Sequence, residues 1–341
     1  MAVPGAFAVS TISERIKLIP DAIINKSTLL RKMKEKGRIS YNKGGSDLKF
    51  PVRSSASNIG GSTSTWGTGG GRTSNPFTEM SLNWRQYKWL PTINDFQTEL
   101  NENAGQMAKV FDMAAQQLNE VRQDATSRFE THMYANGSDL STGDEAGTTP
   151  IDGLESIVDD DNSYGGITRS ASNAYWQAQI VSVTNPIQDD NSNDLTNLYE
   201  GMMQCYNACS KGKGAAGNKV ADDVTGDFDS PETVVTTDTL FRTYWASLEP
   251  RQRYSSAQAG PIMKLMFGTA EVEWDQYCTA ARVYFLNTNH LHFWCAGSQL
   301  ITQKKIIEKE APVSKVYVLT AQCQFFTTNG RYLGAVRTTG T

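Results

Sequence analysis

The stretch NAGQMAKVFDMAAQQLNEVRQDATSRFETHMYAN, residues 103–136, predicts one long helix to which the other elements are attached. Its apolar residues recur at steps of three and four, polar residues lie mostly on the opposite face, and no proline interrupts it. The apolar positions are Met107, Val110, Phe111, Ala114, Ala115, Leu118, Val121, Ala125, Phe129 and Met133. At about 1.5 Å per residue the helix would be roughly 45 to 50 Å long. The pair Asn136-Gly137 then tolerates a left-handed C-terminal cap.

The composition of the 341-residue chain limits the classes of function. A net charge of -4 argues against a generally basic nucleic-acid-binding protein. No apolar run is long enough to span a membrane, and residues 1–20 lack a secretory apolar core, so we expect a soluble protein made in a cytoplasm. The five cysteines have no framework spacing, which favours reduced thiols over a disulfide scaffold.

The first 44 residues form a basic segment with nine basic and three acidic residues. Ser27 is placed to cap a short helix over residues 28–36, which Gly37 would end. Charge alone favours a solvated helix at a mobile terminus. The alternative is an arm that lies against a neighbouring molecule or an acidic polymer.

Two alternating segments predict a long β-hairpin ahead of the helix. Residues 47–54 place Leu48, Phe50 and Val52 on one face, and Pro51 suggests an edge strand. Residues 77–90 form the return strand, with a change of phase that suggests a bulge near Arg85-Gln86. Fifteen of the 22 residues between them (55–76) are Gly, Ser or Thr, which predicts a flexible tip.

An acidic stretch follows the helix at 138–168, with eight carboxylates and no basic residue, and it predicts a solvated loop. Within it, Asp159-Asp160-Asp161 lacks the residue spacing of a calcium-binding loop. A short helix or strand is expected at 151–158, a turn at 164–167 and an amphipathic helix at 193–210. A strand is expected at 233–237, followed by a helix capped by Asp238, and further strands lie within 267–294. Residues 313–326 and 331–336 are expected to form a terminal hairpin joined by Asn329-Gly330. Trp274 is expected in a core.

Several segments imitate catalytic or metal sites. Residues 212–219 approach a phosphate-binding loop, but Asn218 stands where that motif needs lysine, and a flexible basic turn is favoured. His290 and His292 would share a strand face near Cys295, but no fourth ligand has matching spacing, so packing is favoured over zinc. We therefore predict no catalytic residue, no metal site and no cofactor.

The order of the parts resembles the major capsid proteins of tailed double-stranded-DNA bacteriophages, which have the Hong Kong 97 capsid fold. The similar segments are LLRKMKEKGR (29–38) leading to Gly44-Gly45, GLESIV (153–158), YGGITRS (164–170), PRQRY (250–254), VEWD (272–275) and VYFLN (283–287). The likeness covers nearly the whole chain, and it is carried by the order of the segments. The hairpin tip and the polar insert at 188–194 depart from the pattern.

The resemblance implies an α+β fold with an N-terminal arm (1–45), an extended β-hairpin loop (46–90), a peripheral domain with the spine helix (91–173), an axial domain (174–298) and a return to the peripheral domain (299–341). It implies self-assembly as hexamers and pentamers into an icosahedral virion shell in the host cytoplasm. Implied partners are a scaffolding protein, a portal protein, a decoration protein and packaged double-stranded DNA, with no membrane. Residues expected at neighbouring subunits are Phe50, Val52, Arg53, Trp66, Leu82 and Trp84, and those expected to face scaffold or DNA are Lys32, Lys34, Lys36 and Arg38.

Two other classes stay open at this stage. One is an encapsulin-like compartment or a tail-tube subunit, which would also assemble but with another content. The other is a phosphate-handling enzyme that uses residues 212–219, which nucleotide retention would support.

Overall fold

The computed structural model describes residues 19–53, 77–94, 113–137, 149–183, 198–210, 230–247, 265–309 and 314–338. These residues form an α+β fold, as expected. The helices are Thr28–Glu35 (the arm helix), Met113–Tyr134 (the spine helix), Leu154–Ile157, Leu198–Cys209 and Asp238–Ser247, and residues 19–26 are also helical. Two short 3-10 turns span Ala171–Asn173 and Gly330–Tyr332.

Fourteen described strands form two six-stranded sheets and a separate hairpin. They are β1 Ile39–Ser40, β2 Asp47–Arg53, β3 Phe77–Asn83, β4 Arg85–Trp89, β5 Thr92–Asn94, β6 Gln179–Val183, β7 Thr233–Thr236, β8 Leu265–Phe267, β9 Ala270–Trp274, β10 Arg282–Leu286, β11 Leu291–Cys295, β12 Thr302–Lys309, β13 Ser314–Thr327 and β14 Gly334–Thr338. The first sheet has the order β1-β11-β13-β12, with β4 and β5 also paired to β13. The second has the order β6-β14-β10-β7-β9-β8, and β2 pairs with β3.

The spine helix is confirmed over Met113–Tyr134, 22 residues. Leu118, Val121, Ala125, Phe129 and Met133 are all buried, as their spacing predicts. Residues 103–112 lie outside the described part of the chain. Gly137, three residues after the end of the helix, has φ +71°, the left-handed conformation that the sequence analysis expected it to tolerate.

The second sheet lies between two apolar layers. Val235, Tyr284 and Leu286 belong to the large core that also contains the spine helix. Their neighbours in sequence, including Val234 and Phe285, face a second core under the helices Leu198–Cys209 and Asp238–Ser247. All four residues of β7 and four of the five residues of β10 are buried, as expected for strands that are covered on both faces.

The predicted terminal hairpin is wrong. β13 belongs to the first sheet, whereas β14 pairs with β10 and β6 in the second. Asn329 accepts a hydrogen bond from Arg331 N–H and begins a 3-10 turn, so the Asn-Gly pair redirects the chain between sheets. β13 instead pairs with the strand that precedes it, β12, which the sequence analysis did not identify.

The predicted bulge near Arg85-Gln86 is also replaced by a change of sheet. β3 ends at Asn83 in the hairpin, and β4 begins at Arg85 and pairs with β13 in the first sheet. The change of phase in the sequence therefore marks the exit from the hairpin.

Three expectations about burial are corrected. Trp274 is 51% exposed, because it continues the face of Ala270 and Val272 beyond the cover of the helices. Tyr199 and Met203, which the predicted amphipathic helix at 193–210 was expected to place on its apolar stripe, lie on the exposed side of the helix Leu198–Cys209. The acidic segment is not simply solvated, since Asp152 and Asp159 are buried.

Both buried carboxylates have partners from distant parts of the chain. Gln324 donates to Asp152 Oδ2 at 2.8 Å, and burial raises the pKa of Asp152 to about 6. Arg337 donates to Asp159 Oδ1 at 2.7 Å. These contacts connect the loop at 152–159 to the last two strands.

Candidate assembly surfaces

The hairpin is a regular antiparallel pair in which Asp47 lies opposite Asn83 and Arg53 opposite Phe77. Leu48, Val52, Met80 and Leu82 are buried. The alternation of the two strands therefore gives one apolar face, as the sequence predicts.

This apolar face is covered by the same chain. Ser81 N–H donates to Gly165 O at 2.9 Å, and Gly165 lies directly against the side chain of Met80. The ring of Phe50 packs against Phe326 with centroids 5.0 Å apart, and also against Trp294. Phe50, Val52 and Leu82 are therefore covered within the subunit, and the inter-subunit role expected of the hairpin stays a prediction.

The outward face of the hairpin is the surface that remains for a neighbour. Lys49, Pro51 and Glu79 are exposed, and Phe77 is 56% exposed. Trp84 contacts its own chain through Nε1, which donates to Gly45 O at 3.1 Å, and the Arg53 guanidinium lies over the Tyr175 ring. Trp66 and the rest of the tip, residues 54–76, lie outside the described residues.

The arm helix is fixed to the body of the subunit. Ser27 Oγ accepts from Leu30 N–H at its start, and Leu29, Leu30 and Met33 are buried. Gly37, with φ +66°, ends the helix as predicted, and β1 then pairs in parallel with β11. The interpretation as a solvated helix at a mobile terminus is therefore wrong for residues 28–40.

Ion pairs connect the arm helix to the second sheet. Lys32 Nζ contacts Glu271, and it lies 3.1 Å from Glu273 Oε1. Arg31 is 3.6 Å from Glu273, and Lys36 is 3.1 Å from Glu232. Burial by itself lowers the pKa of Lys32, but the hydrogen bonds and charges of Glu271 and Glu273 together raise it above its ordinary value. We call these six residues the arm clasp: Arg31, Lys32, Lys36, Glu232, Glu271 and Glu273. The sequence analysis did not identify the three glutamates.

The four basic residues predicted to face scaffold or DNA therefore have different surroundings. Lys32 is largely enclosed in the arm clasp, with its side chain 15% exposed. Lys34 and Lys36 are about half exposed while they pair with Asp21 and Glu232. Arg38 donates to Asn289 Oδ1 at 2.7 Å.

A cleft of about 690 Å³ lies between the arm helix and the second sheet. Lys32, Lys36, Glu232 and Glu271 all line it. Since the lining has both signs of charge and its lysines are paired with its glutamates, the cleft favours neither an anion nor a cation.

The residues considered for metal binding or catalysis have packing roles. His290 stacks on Tyr332 with centroids 4.5 Å apart, and His292 stacks on Phe326. Burial lowers the pKa of both His292 and His132 to about 4. Among the described residues, no three His, Cys, Asp or Glu side chains are grouped to hold a metal ion, and no helix is long and apolar enough to cross a membrane. Residues 212–219 lie outside the described part.

Comparison with known proteins identifies the fold. The sequence matches no protein-family model and no curated protein sequence. The structure is similar to the cyanophage A-1(L) capsid asymmetric unit, with a TM-score of 0.59 and 14% identity over 88% of this chain and 90% of that one.

Two other capsid structures give the same result. The capsid of the native GTA particle matches with a TM-score of 0.54 and 11% identity over 90% of each chain. The capsid of Myoviridae phage XM1 matches with a TM-score of 0.54 and 12% identity over 89% of this chain and 90% of that one. As the resemblance in sequence predicted, the chain has the Hong Kong 97 fold of phage major capsid proteins.

Proposed function

We propose that this chain is the major capsid protein of a tailed bacteriophage, which assembles as hexamers and pentamers into an icosahedral head around double-stranded DNA. The observation that carries the proposal is the near end-to-end match to capsid subunits, about nine tenths of both chains. The function is then structural and depends on contacts between subunits, with no catalytic residue.

The exposed apolar side chains support an assembling subunit. Met266 on the edge strand β8 and Trp274 on the neighbouring β9 are about half exposed on opposite faces of the second sheet, and Phe77 is exposed on the hairpin. Large exposed apolar side chains gain free energy when a neighbouring subunit covers them, at roughly 25 cal/mol per Å². These residues are therefore proposed contact positions in the shell.

The two sheets suggest how the domains are divided. The first sheet, with the spine helix, would be the peripheral domain, and the second sheet would be the axial domain. On this division β11 belongs to the peripheral domain and β14 to the axial domain, so the boundary expected at 298 would move to between β10 and β11, and a second boundary would lie between β13 and β14. Residues 1–45 would remain the arm and residues 46–90 the extended loop.

Proposed partners are a scaffolding protein during assembly, a portal protein at one vertex, a decoration protein on the outside and the packaged DNA. The procapsid of satellite phage P4, which includes a size determination protein, matches this chain with a TM-score of 0.50 and 14% identity. In the present chain Lys34, Lys36 and Arg38 are the proposed contacts to scaffold and DNA, because Lys32 is largely enclosed. Assembly would take place in the host cytoplasm and the product would be the virion.

Expression of the chain with its scaffolding protein, followed by sedimentation and electron microscopy, tests the proposal. We expect closed icosahedral shells. Tubes would indicate a tail-tube subunit, and shells that hold an enzyme cargo would indicate an encapsulin-like compartment. Monomers that retain a nucleotide would support the enzyme alternative and overturn the proposal.

The extended loop has its own test. Replacement of residues 55–76 by Asn-Gly should leave the circular dichroism spectrum of the subunit unchanged, because the base of the hairpin is fixed within the chain. Regular shells should no longer form. Shells of normal size from the shortened chain would remove residues 55–76 from the proposed inter-subunit contact.

A further inference from the structure

Two cysteines of the first sheet lie directly opposite each other. Cys295 on β11 and Cys323 on β13 are partners in the antiparallel register, and both are completely buried. All five cysteines of the chain are free thiols in this structure.

The hydrogen-bond pattern identifies which kind of pair they form. Ala296 N–H donates to Gln322 O at 2.9 Å, so residues 296 and 322 are a hydrogen-bonded pair. Pairs alternate along an antiparallel ladder, which makes Cys295 and Cys323 a non-hydrogen-bonded pair. In agreement, the carbonyl of Cys295 faces away from β13 and accepts from Lys43 N–H at 3.1 Å.

This kind of pair brings the two thiols close enough to bond. Residues at a non-hydrogen-bonded position have Cα atoms about 4.5 Å apart and project side chains to the same face. A disulfide needs a Cα separation of roughly 4.4–6.8 Å and Cβ atoms about 3.5–4.5 Å apart. The pair therefore lies in the range that closes without movement of the strands.

We propose that Cys295 and Cys323 are a redox site, which closes to a cross-strand disulfide when a low-molecular-weight disulfide oxidant reaches the protein. One thiol loses its proton and attacks the oxidant, which gives a mixed disulfide and releases one small thiolate. The second thiol, deprotonated in turn, attacks the protein sulfur of the mixed disulfide and displaces the other small thiolate. Two protons leave the protein, and its two electrons reduce the oxidant to two thiols.

Burial determines when this reaction occurs. Both sulfurs are shielded from solvent, and burial raises the pKa of both thiols, so attack requires a local opening of β11 from β13. The pair stays reduced in a cytoplasm and closes slowly in an oxidising medium. Closure of the disulfide after release of a virion rests on the proposed function. The chemistry of the cysteine pair does not depend on that function.

The same chain supplies a matched control. Cys205 and Cys209 are also buried and lie one turn apart on the helix Leu198–Cys209. Residues four apart on a helix have Cβ atoms about 5–6 Å apart, which is too far for a disulfide. The two cysteine pairs therefore share burial and differ in geometry.

The test counts thiols and maps their links, and it requires no shell formation. The purified full-length protein is incubated for days with oxidised glutathione, denatured, treated with N-ethylmaleimide, and analysed by mass spectrometry without reduction. A second sample is refolded from urea in a glutathione redox buffer, so that the oxidant can reach both thiols before the core closes. We expect the number of free thiols to fall from five to three, with one peptide link between Cys295 and Cys323.

Variants identify the pair. On oxidation the Cys205→Ala variant should still lose two free thiols, and the Cys323→Ala variant should lose none. If Cys323→Ala fails to fold, the disulfide map of the wild-type protein from mass spectrometry decides. A link between Cys205 and Cys209, or five free thiols after both treatments, would overturn the proposal.

Discussion

Removal of the Lys32 ammonium should destabilise the subunit by about 2–3 kcal/mol, since the partly buried Glu271 and Glu273 carboxylates both lose their contact with this cation. Glu271 and Glu273 lie on the same face of β9, and the side chains of all three residues are less than a fifth exposed. At the 3.1 Å separation of Lys32 and Glu273, two unit charges attract by about 5 kcal/mol at an effective dielectric constant of about 20. Desolvation and side-chain ordering offset part of this attraction, which leaves the smaller net value.

A double-mutant cycle separates the pair from its surroundings. Lys32→Met keeps the buried stem and removes the charge, whereas Glu271→Gln should cost only about 1 kcal/mol because Glu273 still pairs with Lys32. Both single variants remove the Lys32–Glu271 contact and the double variant removes it only once, so its loss of stability should be smaller than the sum of the single losses by about 1 kcal/mol.

The assay is urea unfolding of the unassembled subunit, monitored by circular dichroism. Urea is preferred to guanidinium because guanidinium is a salt and screens ion pairs. The exposed pair Arg242 and Asp238, 2.8 Å apart within one helix, is the control and should show a coupling of about 0.5 kcal/mol or less. A Lys32–Glu271 coupling no larger than that of this control would refute the view that the arm clasp fixes the helix.

Three other substitutions test separate parts of the structure. Trp274→Ala should leave the urea midpoint of the subunit almost unchanged, because the side chain is half exposed, but should lower the yield of shells in sedimentation; a large loss of subunit stability would show that Trp274 belongs to a core. Gly165→Ala should cost about 2 kcal/mol or more in the same assay, since Gly165 has φ +59° and a Cβ would collide with Met80; an unchanged midpoint would contradict the close approach. His132 has a pKa lowered from 6.5 to about 4, so its contribution is complete above pH 6.5 and is lost as the pH falls toward 4. His132→Phe should therefore remove roughly 2 kcal/mol of the stability lost between pH 7 and pH 5, and an identical loss in the variant would refute this role.

The sequence predicted the elements whose signals are local. The spine helix, the Ser27 cap, the stop at Gly37 and the paired hairpin strands all follow from spacing or from the conformational preference of one residue. The turn at 164–167 is likewise present, with positive φ at Gly165 and Gly166.

The elements that were missed depend on partners far away in sequence. Asp152 is buried because Gln324, 172 residues later, satisfies its oxygen, and nothing near Asp152 in sequence signals this. The last two strands were predicted as a hairpin because Asn-Gly is a strong hairpin signal. In the structure β14 instead pairs with β10 and β6 in the second sheet. The arm clasp could not be predicted either. Charge counts show the excess of basic residues in 1–44, but not the distant glutamates that pair with them.

The proposed assembly contacts lie beside segments that are fixed within the subunit itself. Arg53 and Phe77 are paired, so the two strand ends that flank residues 54–76 lie side by side on a base that is fixed within the chain. A fixed base lets the rest of the loop gain contacts with a neighbour without disturbing the fold, because the energy of the base does not depend on the tip. The arm is arranged on the same principle, with Leu29, Leu30 and Met33 anchored in the core and Lys34 and Lys36 half exposed. Lys32 pairs within the subunit and Trp274 is a proposed contact position, so substitutions at these two residues should affect stability and assembly independently.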